Sequence, residues 1–255
     1  MELTALLDEW KHKGGTAALC TIVETRGSTP RSLGARMLVF SDSSILGTIG
    51  GGELEKSVIQ EAISVIKSRR PSTYRHDLLH RHNMCCGGSV DLFIEPLMEK
   101  ERLFIFGAGH TGAALARHAV QLEFDVYVID DRKEYLDSIG IAGVSKLNMH
   151  HAQALPVLPF NDRTFVAIMT YSHANDREIL AHCIRQPFAY LGMIGSQRKV
   201  EMTRKLFKEG LSVTSEELSR VDMPMGEDIG AETPDEIAVS ILAKLIRVRR
   251  TAISL

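Results

Sequence analysis

Cysteine is scarce, with four in 255 residues, at positions 20, 85, 86 and 183. This spacing offers no disulfide framework, a chain of this length needs no covalent staples, and adjacent cysteines pair poorly with each other, so reduced thiols are expected. An excess of either charge is also missing: 30 Lys and Arg face 32 Asp and Glu, for a net charge of −2. The balance gives no general attraction to nucleic acid or acidic lipid, leaving only a local basic patch as a route to either. No uncharged apolar stretch reaches the roughly 18 residues that a membrane span requires, and the mean hydropathy is −0.02. Met1-Glu2-Leu3-Thr4 lacks the basic region and apolar core of a secretory signal. Internal repeats and low-complexity segments are absent too. The expectation is a soluble cytoplasmic protein with no nucleic-acid or membrane partner. Its 44% hydrophobic and 24% charged residues are ordinary for a globular chain.

Two halves differ in pattern. In the first, Ala17–Val23 is β-prone, Arg26–Arg31 is dense in turn residues, and Arg36–Phe40 and Ile45–Ile49 flank a Ser41-Asp42-Ser43-Ser44 turn. Glu53–Lys67 carries apolar residues at helical spacing, and Ser89–Ile94 is β-prone. The charged segment Met98–Arg102 reads as a boundary, giving an N-terminal mixed α/β domain over 1–98 and a second domain over 102–255. The second half alternates strands (Leu103–Phe106, Asp125–Asp130, Ser145–Met149, Thr164–Thr170, Ala189–Ile194) with helical segments, including Thr111–Leu122, Asp176–Arg185 and Gln197–Lys208. That alternation predicts a Rossmann-like parallel sheet covered on both faces. A final helix is capped by Thr233, opens on Pro234 and closes on Arg247, Arg249 and Arg250.

Four segments carry residues suited to chemistry. Gly107-Ala108-Gly109-His110-Thr111-Gly112 follows a strand and opens a helix, so its backbone could approach a pyrophosphate. Asp130, 18 residues after Gly112, could bond a ribose hydroxyl, although the same glycines also serve tight strand–helix packing. His110 either faces solvent or offers a neutral imidazole to a ligand. Gly50-Gly51-Gly52 precedes a helix opening on Glu53 and Glu55, and its amides could form an anion-binding concavity or a tight structural turn. Glu53 and Glu55, two apart, do not share a helix face and are not an acid/base pair. His80–Gly88 combines histidines with Cys85, Cys86, Gly87 and Gly88; the spacing matches no zinc motif, but a thiol beside glycines is open to a ligand and is a soft donor. Arg26, Ser28, Thr29 and Arg31 surround a turn suited either to clamping phosphate or to solvent. Tyr171, His173 and Asp176, after the 164–170 strand, either form a polar loop with a capped helix or serve an NAD(P)-dependent oxidoreductase.

Taken together, these segments resemble the XdhC/CoxI family, the xanthine dehydrogenase accessory proteins. The resemblance rests on Gly27–Arg31 with Gly34–Met37, Gly47–Glu55, Met84–Gly88 with Phe93–Pro96, Gly107–His110, Asp130-Asp131-Arg132, Tyr190–Lys199 including Gly195 and Ser196, and Asp228–Ala238. It implies a chaperone for molybdenum cofactor that protects it, engages a cysteine desulfurase for sulfuration, delivers it to a xanthine dehydrogenase-type apo-enzyme, and forms a homodimer. Carried over by position, Cys86 is the thiol near molybdenum or its sulfur. The glycine loops, Asp130, Arg132, Gly195 and Ser196 stand where the family's cofactor-binding motifs lie. Departures from the pattern are Glu227 in place of an apolar residue, Lys244 in place of an acid, and the added neighbour Cys85.

Overall fold

A computed structural model describes residues 2–79, 87–210 and 213–254 of the chain. The sequence motif His80–Cys86 therefore lies outside the described residues. Packing divides the chain into two compact units, residues 1–99 and 100–254.

The first unit contains α1 (Leu3–Lys13), β1 (Ala17–Arg26), β2 (Arg36–Phe40), β3 (Ile45–Gly47), α2 (Gly52–Ser68), β4 (Ser72–Asp77) and β5 (Ser89–Leu97). Its strands form one antiparallel sheet in the order β3-β2-β1-β5-β4. The twofold alternation of side chains along a strand sorts β1 between two cores. Ala18, Cys20 and Ile22 pack with Leu54, Val58, Ala62 and Val65 of α2, while Ala17 and Leu19 pack with Leu6 of α1. Burial pushes the Cys20 thiol up to about 12, with Glu61 adding to the shift. Burial does the same to Cys183, in the second unit. Both are free cysteines that serve as small apolar core residues.

The second unit runs β6 (Arg102–Phe106), α3 (His110–Gln121), β7 (Asp125–Asp130), α4 (Lys133–Ser138), β8 (Val144–Asn148), α5 (His151–Ala154), β9 (Thr164–Ile168), α6 (His173–Cys183), β10 (Tyr190–Met193), α7 (Gln197–Gly210), α8 (Ser215–Ser219), β11 (Val221–Asp222) and α9 (Pro234–Ser254). All its strands are parallel, in the order β8-β7-β6-β9-β10-β11. This is the doubly wound Rossmann arrangement, in which the strand order reverses between β6 and β9 and ligands bind outside the carboxyl ends at that point. Alternate residues again separate the faces. Leu103 and Ile105 join Val126, Val128, Ala167 and the α3/α9 layer, whereas Phe104 and Phe106 join Val166, Ile168 and residues of α6 and α7.

The α9 terminus carries the cap that its sequence suggests: the Glu236 amide donates to Thr233 Oγ1 (3.3 Å), and Glu236 Oε2 accepts from the Thr233 amide (2.9 Å). The closing arginines act across the fold as well. Arg249 donates to the carbonyl of Leu122 just after α3 (2.9 Å), and Arg247 pairs with Glu227 (2.7 Å).

Phe104 is fully buried, with edge-on contacts to Tyr127 and Phe160. Phe104→Ala should therefore destabilise the second unit by about 3–5 kcal/mol, read as a lower urea midpoint for its unfolding transition.

Candidate functional site

In the first unit, the end of β1 bends through Arg26–Arg31 and lies against the chain entering β5. Ser28 forms a parallel bridge with Gly87. A side chain on Gly88 would strike the carbonyl oxygens of Arg26 and Ser28, so only glycine allows the two backbones this approach. A Cβ on Gly50 would meet Pro30 Cγ at 2.5 Å, which brings the triple-glycine loop to the same turn. Three of the sequence motifs thus meet. Arg31 is exposed there, Arg26 is paired with Glu24 (2.8 Å), and Thr29 Oγ1 donates to the carbonyl of Arg31 (3.0 Å). A Cβ on Gly51, Gly52 or Gly87 would meet nothing within 4 Å.

The amides of that loop are already engaged. Glu55 Oε1 accepts from the amides of Ile49 (3.0 Å) and Gly51 (2.9 Å) and from Thr48 Oγ1 (2.5 Å), and the Gly50 amide donates to Thr48 Oγ1 (3.2 Å). Burial raises the Glu55 pKa, but these donors outweigh it and hold the carboxyl below its ordinary range. The Gly51 amide is thus taken by the chain's own carboxylate and the Gly50 amide by Thr48 Oγ1, which is the tight structural turn, the alternative to an anion-binding concavity. Sequence spacing shows Glu55 only as an acid in the first turn of α2. Glu53 is exposed and paired with Lys56 (2.6 Å).

In the second unit, the glycine-rich loop runs from β6 into α3. Gly107 and Gly112 face each other so closely that a Cβ on Gly112 would strike the carbonyl oxygen of Gly107. Gly109 differs: its φ is −64°, a value open to any residue, and nothing lies within 4 Å of where its Cβ would stand. Packing within the unit explains Gly112 and leaves Gly109 unexplained. His110 is exposed at the start of α3.

Asp130, at the end of β7, is buried and accepts four hydrogen bonds. Its donors are the amide of Ala108 (2.7 Å), the amide of Arg132 (3.0 Å), and Arg132 Nε (2.9 Å) and Nη2 (2.8 Å). Burial raises the Asp130 pKa, and the bonds from Arg132 and Ala108 more than reverse this, holding it below the ordinary carboxylate range. A carboxylate offers about four acceptor positions, and all are used. The expected bond from Asp130 to a ribose hydroxyl therefore has no acceptor position left in this geometry. Asp130 lines a half-open crevice together with Gly107, Asp131, His150, Thr170, Tyr171 and Asn175 among others. Arg132 also stacks on the rings of Tyr135 (4.0 Å) and Tyr171 (4.3 Å).

The oxidoreductase candidates take structural positions. Asp176 accepts from the Thr170 amide (3.0 Å) and Oγ1 (2.7 Å) and from His173 Nδ1 (3.3 Å), closing the turn into α6. Tyr171 Oη donates to Asp131 (3.2 Å). Gly195 lines a separate cavity of about 370 Å³ with Gln197, Gly226, Asp228, Gly230 and Ser240, while Ser196 is exposed at the α7 entry. Among the described residues, no group of three or more His, Cys, Asp or Glu is placed to hold a metal ion, and no helix is long and apolar enough to cross a membrane.

Comparison with known proteins adds two family matches: the XdhC Rossmann domain over residues 103–245 and the XdhC and CoxI family over 10–77. The chain is 39% identical over 245 residues to YqeB of Escherichia coli (strain K12), covering 92% of this chain and 44% of YqeB. It is 31% identical over 163 residues to a probable xanthine dehydrogenase subunit of Bacillus subtilis (strain 168), covering 64% of this chain and 47% of that protein. The chain thus spans less than half the length of these two relatives. The molybdenum cofactor insertion chaperone PaoD of E. coli (strain K12) is 24% identical over 92% of this chain and 84% of its own. A crystal structure described as a xanthine dehydrogenase (BH1974) from Bacillus halodurans shares the fold, with a TM-score of 0.54 at 22% identity, over 98% of this chain and 96% of that one.

Two stability measurements check the geometry of the loops. Gly112→Ala should cost about 1–3 kcal/mol because its methyl collides with backbone, whereas Gly109→Ala should cost less than about 1 kcal/mol, the loss of a glycine N-cap. Because the Glu55 carboxyl titrates lower in the folded chain than in the unfolded one, its contribution is present above the ordinary carboxylate pKa near ~4 and is lost as pH falls through the lowered folded value. Glu55→Gln should accordingly flatten the acid-side fall of the urea midpoint.

Proposed function

The chain belongs to the XdhC and CoxI family, and from that premise we propose that it is a maturation factor that carries molybdenum cofactor as cargo to a xanthine dehydrogenase-type apo-enzyme. The observation that carries this reading is the meeting in the first unit of the Arg26–Arg31 turn, Gly50 and Gly87-Gly88. Cys86 immediately precedes Gly87 in sequence. A soft thiolate next in sequence to Gly87 suits a molybdenum centre or its sulfur ligand, and Arg31 supplies a cation for the phosphate of the cargo.

The donor set fits the cargo in kind. Gly51, Gly52 and Gly87 leave space that a Cβ would fill, so a flat, polar ring system can approach the backbone. In this role the chain's own residues bind and shield. Glu55 holds the loop in shape, Gly88 keeps the turn and β5 entry together, and Arg31 presents charge at the surface. The names of two relatives, a molybdenum cofactor insertion chaperone and a probable xanthine dehydrogenase component, point the same way. Sulfuration through a cysteine desulfurase, homodimer formation and a cytoplasmic setting belong to the same proposal. Hydride transfer with NAD(P) gains no support from the saturated Asp130 or from the structural positions of Tyr171, His173 and Asp176.

Protein purified without oxygen from cells that make the cofactor should carry molybdenum and pterin, measured by elemental analysis and pterin fluorescence. Cys86→Ala should lower the molybdenum retained. Unchanged content in both Cys86→Ala and the Cys85→Ala/Cys86→Ala double variant would remove the thiol from the proposal.

A further inference from the structure

Asp130 and Arg132 form a closed pair at the carboxyl end of β7. The side-on fork of Arg132 Nε and Nη2 on the two Asp130 oxygens fixes the guanidinium plane. The two Nη1 hydrogens and the outer Nη2 hydrogen then point away from the carboxylate, as the planar fork requires. Stacking on Tyr135 and Tyr171 holds that plane further. Asp131, accepting from Tyr171 Oη at 3.2 Å, ties the ring on β9's loop to the loop after β7. A clamp thus spans the point where the strand order reverses. Arg132 keeps a quarter of its side chain exposed, and its Nε–Nη2 edge is spent on Asp130.

We propose that Arg132 sets the ligand specificity of the Rossmann unit: the crevice takes a phosphomonoester and rejects a free ribose diol. A diol needs acceptors, and Asp130 has none left. A phosphomonoester needs donors, and the outer guanidinium edge presents them in the fork geometry that matches phosphate oxygens. The group docks on that edge and not on the crevice floor, leaving the Asp130 bonds in place. In dinucleotide-binding sheets the residue at the end of this strand reads the 2′ position, an acid for the hydroxyl and an arginine for the phosphate; here the acid is spent on holding the arginine. This goes beyond the cofactor-carrier reading, which is argued from the first unit: it makes the second unit a ligand site and names the chemical group that site recognises.

Matched ligand pairs test it by isothermal titration calorimetry on the full chain. One pair is NADP+ against NAD+, which differ only by a phosphomonoester; the other is 6-hydroxymethylpterin phosphate against 6-hydroxymethylpterin. In at least one pair the phosphorylated member should bind about tenfold or more tightly, the size of a charge-assisted bond, and the pair that responds distinguishes a nucleotide from a pterin source. Arg132→Lys keeps the charge without the fork and should shrink the preference. Arg132→Gln combined with Asp130→Asn removes both charges, leaves no lone buried carboxylate, and should abolish it in a chain whose melting curve remains cooperative. Equal binding within both pairs, no binding of any of the four, or a preference retained in the double variant would overturn the proposal. Molybdenum content of anaerobic protein is read independently, so loss of the phosphate preference with metal retained rejects Arg132 alone, and the converse rejects the carrier reading alone.

Discussion

The carboxylate of Asp130 organises the carboxyl edge of the Rossmann sheet. It ends β7, bonds the amide of Ala108 in the loop after β6, and receives both the amide and the guanidinium of Arg132. Arg132 in turn stacks on Tyr171, from the loop after β9. One buried anion therefore ties together three loops that would otherwise be independent. A buried charge is tolerated only when its acceptor positions are filled, and losing any donor leaves the remainder costly. That cooperativity keeps the glycine-rich loop in shape without help from a ligand.

The same device appears in the first unit with other residues. Glu55 turns back from the first turn of α2 to fill the concavity made by Ile49, Gly51 and Thr48. Glycine-rich loops ahead of helices are ready-made anion sites because their amides point outward together. In both units a carboxylate of the chain takes amides that a phosphate would otherwise use. The cations left exposed or partly exposed are Arg31 in one unit and Arg132 in the other, and a Cβ on Gly51, Gly87 or Gly109 would stand in open space.

Much of this fold is legible in the sequence. The apolar runs of β6, β7 and β9, the amphipathic period of α2 and the capped α9 each follow from local chemistry that points one way. Boundaries differ where tertiary bonds take over: α6 begins at His173 because Asp176 closes the turn on Thr170, and β3 stops at Gly47, whose φ of 83° breaks the strand. The strand β4 leaves little sequence signal because Tyr74 is the one apolar side chain in Ser72–Asp77; it is an edge strand held by its ladder to β5 and by an Arg75–Asp91 pair. The short α4, α5 and α8 carry too few residues for a period. At the site, the motifs are visible but their internal commitments are not. Spacing reveals that an acid follows a glycine loop, yet whether its lone pairs face a ligand or the chain depends on a neighbour two residues away.

The departures Glu227 and Lys244 obey the same accounting. Taken singly, an acid replacing an apolar residue and a lysine replacing an acid both look unfavourable in a half-buried setting. In the structure they approach to 3.8 Å, and each has a second partner, Arg247 for Glu227 (2.7 Å) and Asp222 for Lys244 (3.3 Å). Asp222 also accepts from Tyr190 Oη (2.7 Å) and the Gly226 amide (2.9 Å). Two acids and two bases thus alternate along the seam between β11, its following loop and α9, so neither substitution leaves a charge alone. The two are coupled but not dependent on each other: neutralising Lys244 would leave Glu227 its Arg247 partner, and neutralising Glu227 would leave Lys244 its Asp222 partner. Glu227 lines the same cavity as Gly195, so the seam borders that cavity and not the crevice beside the Asp130–Arg132 clamp.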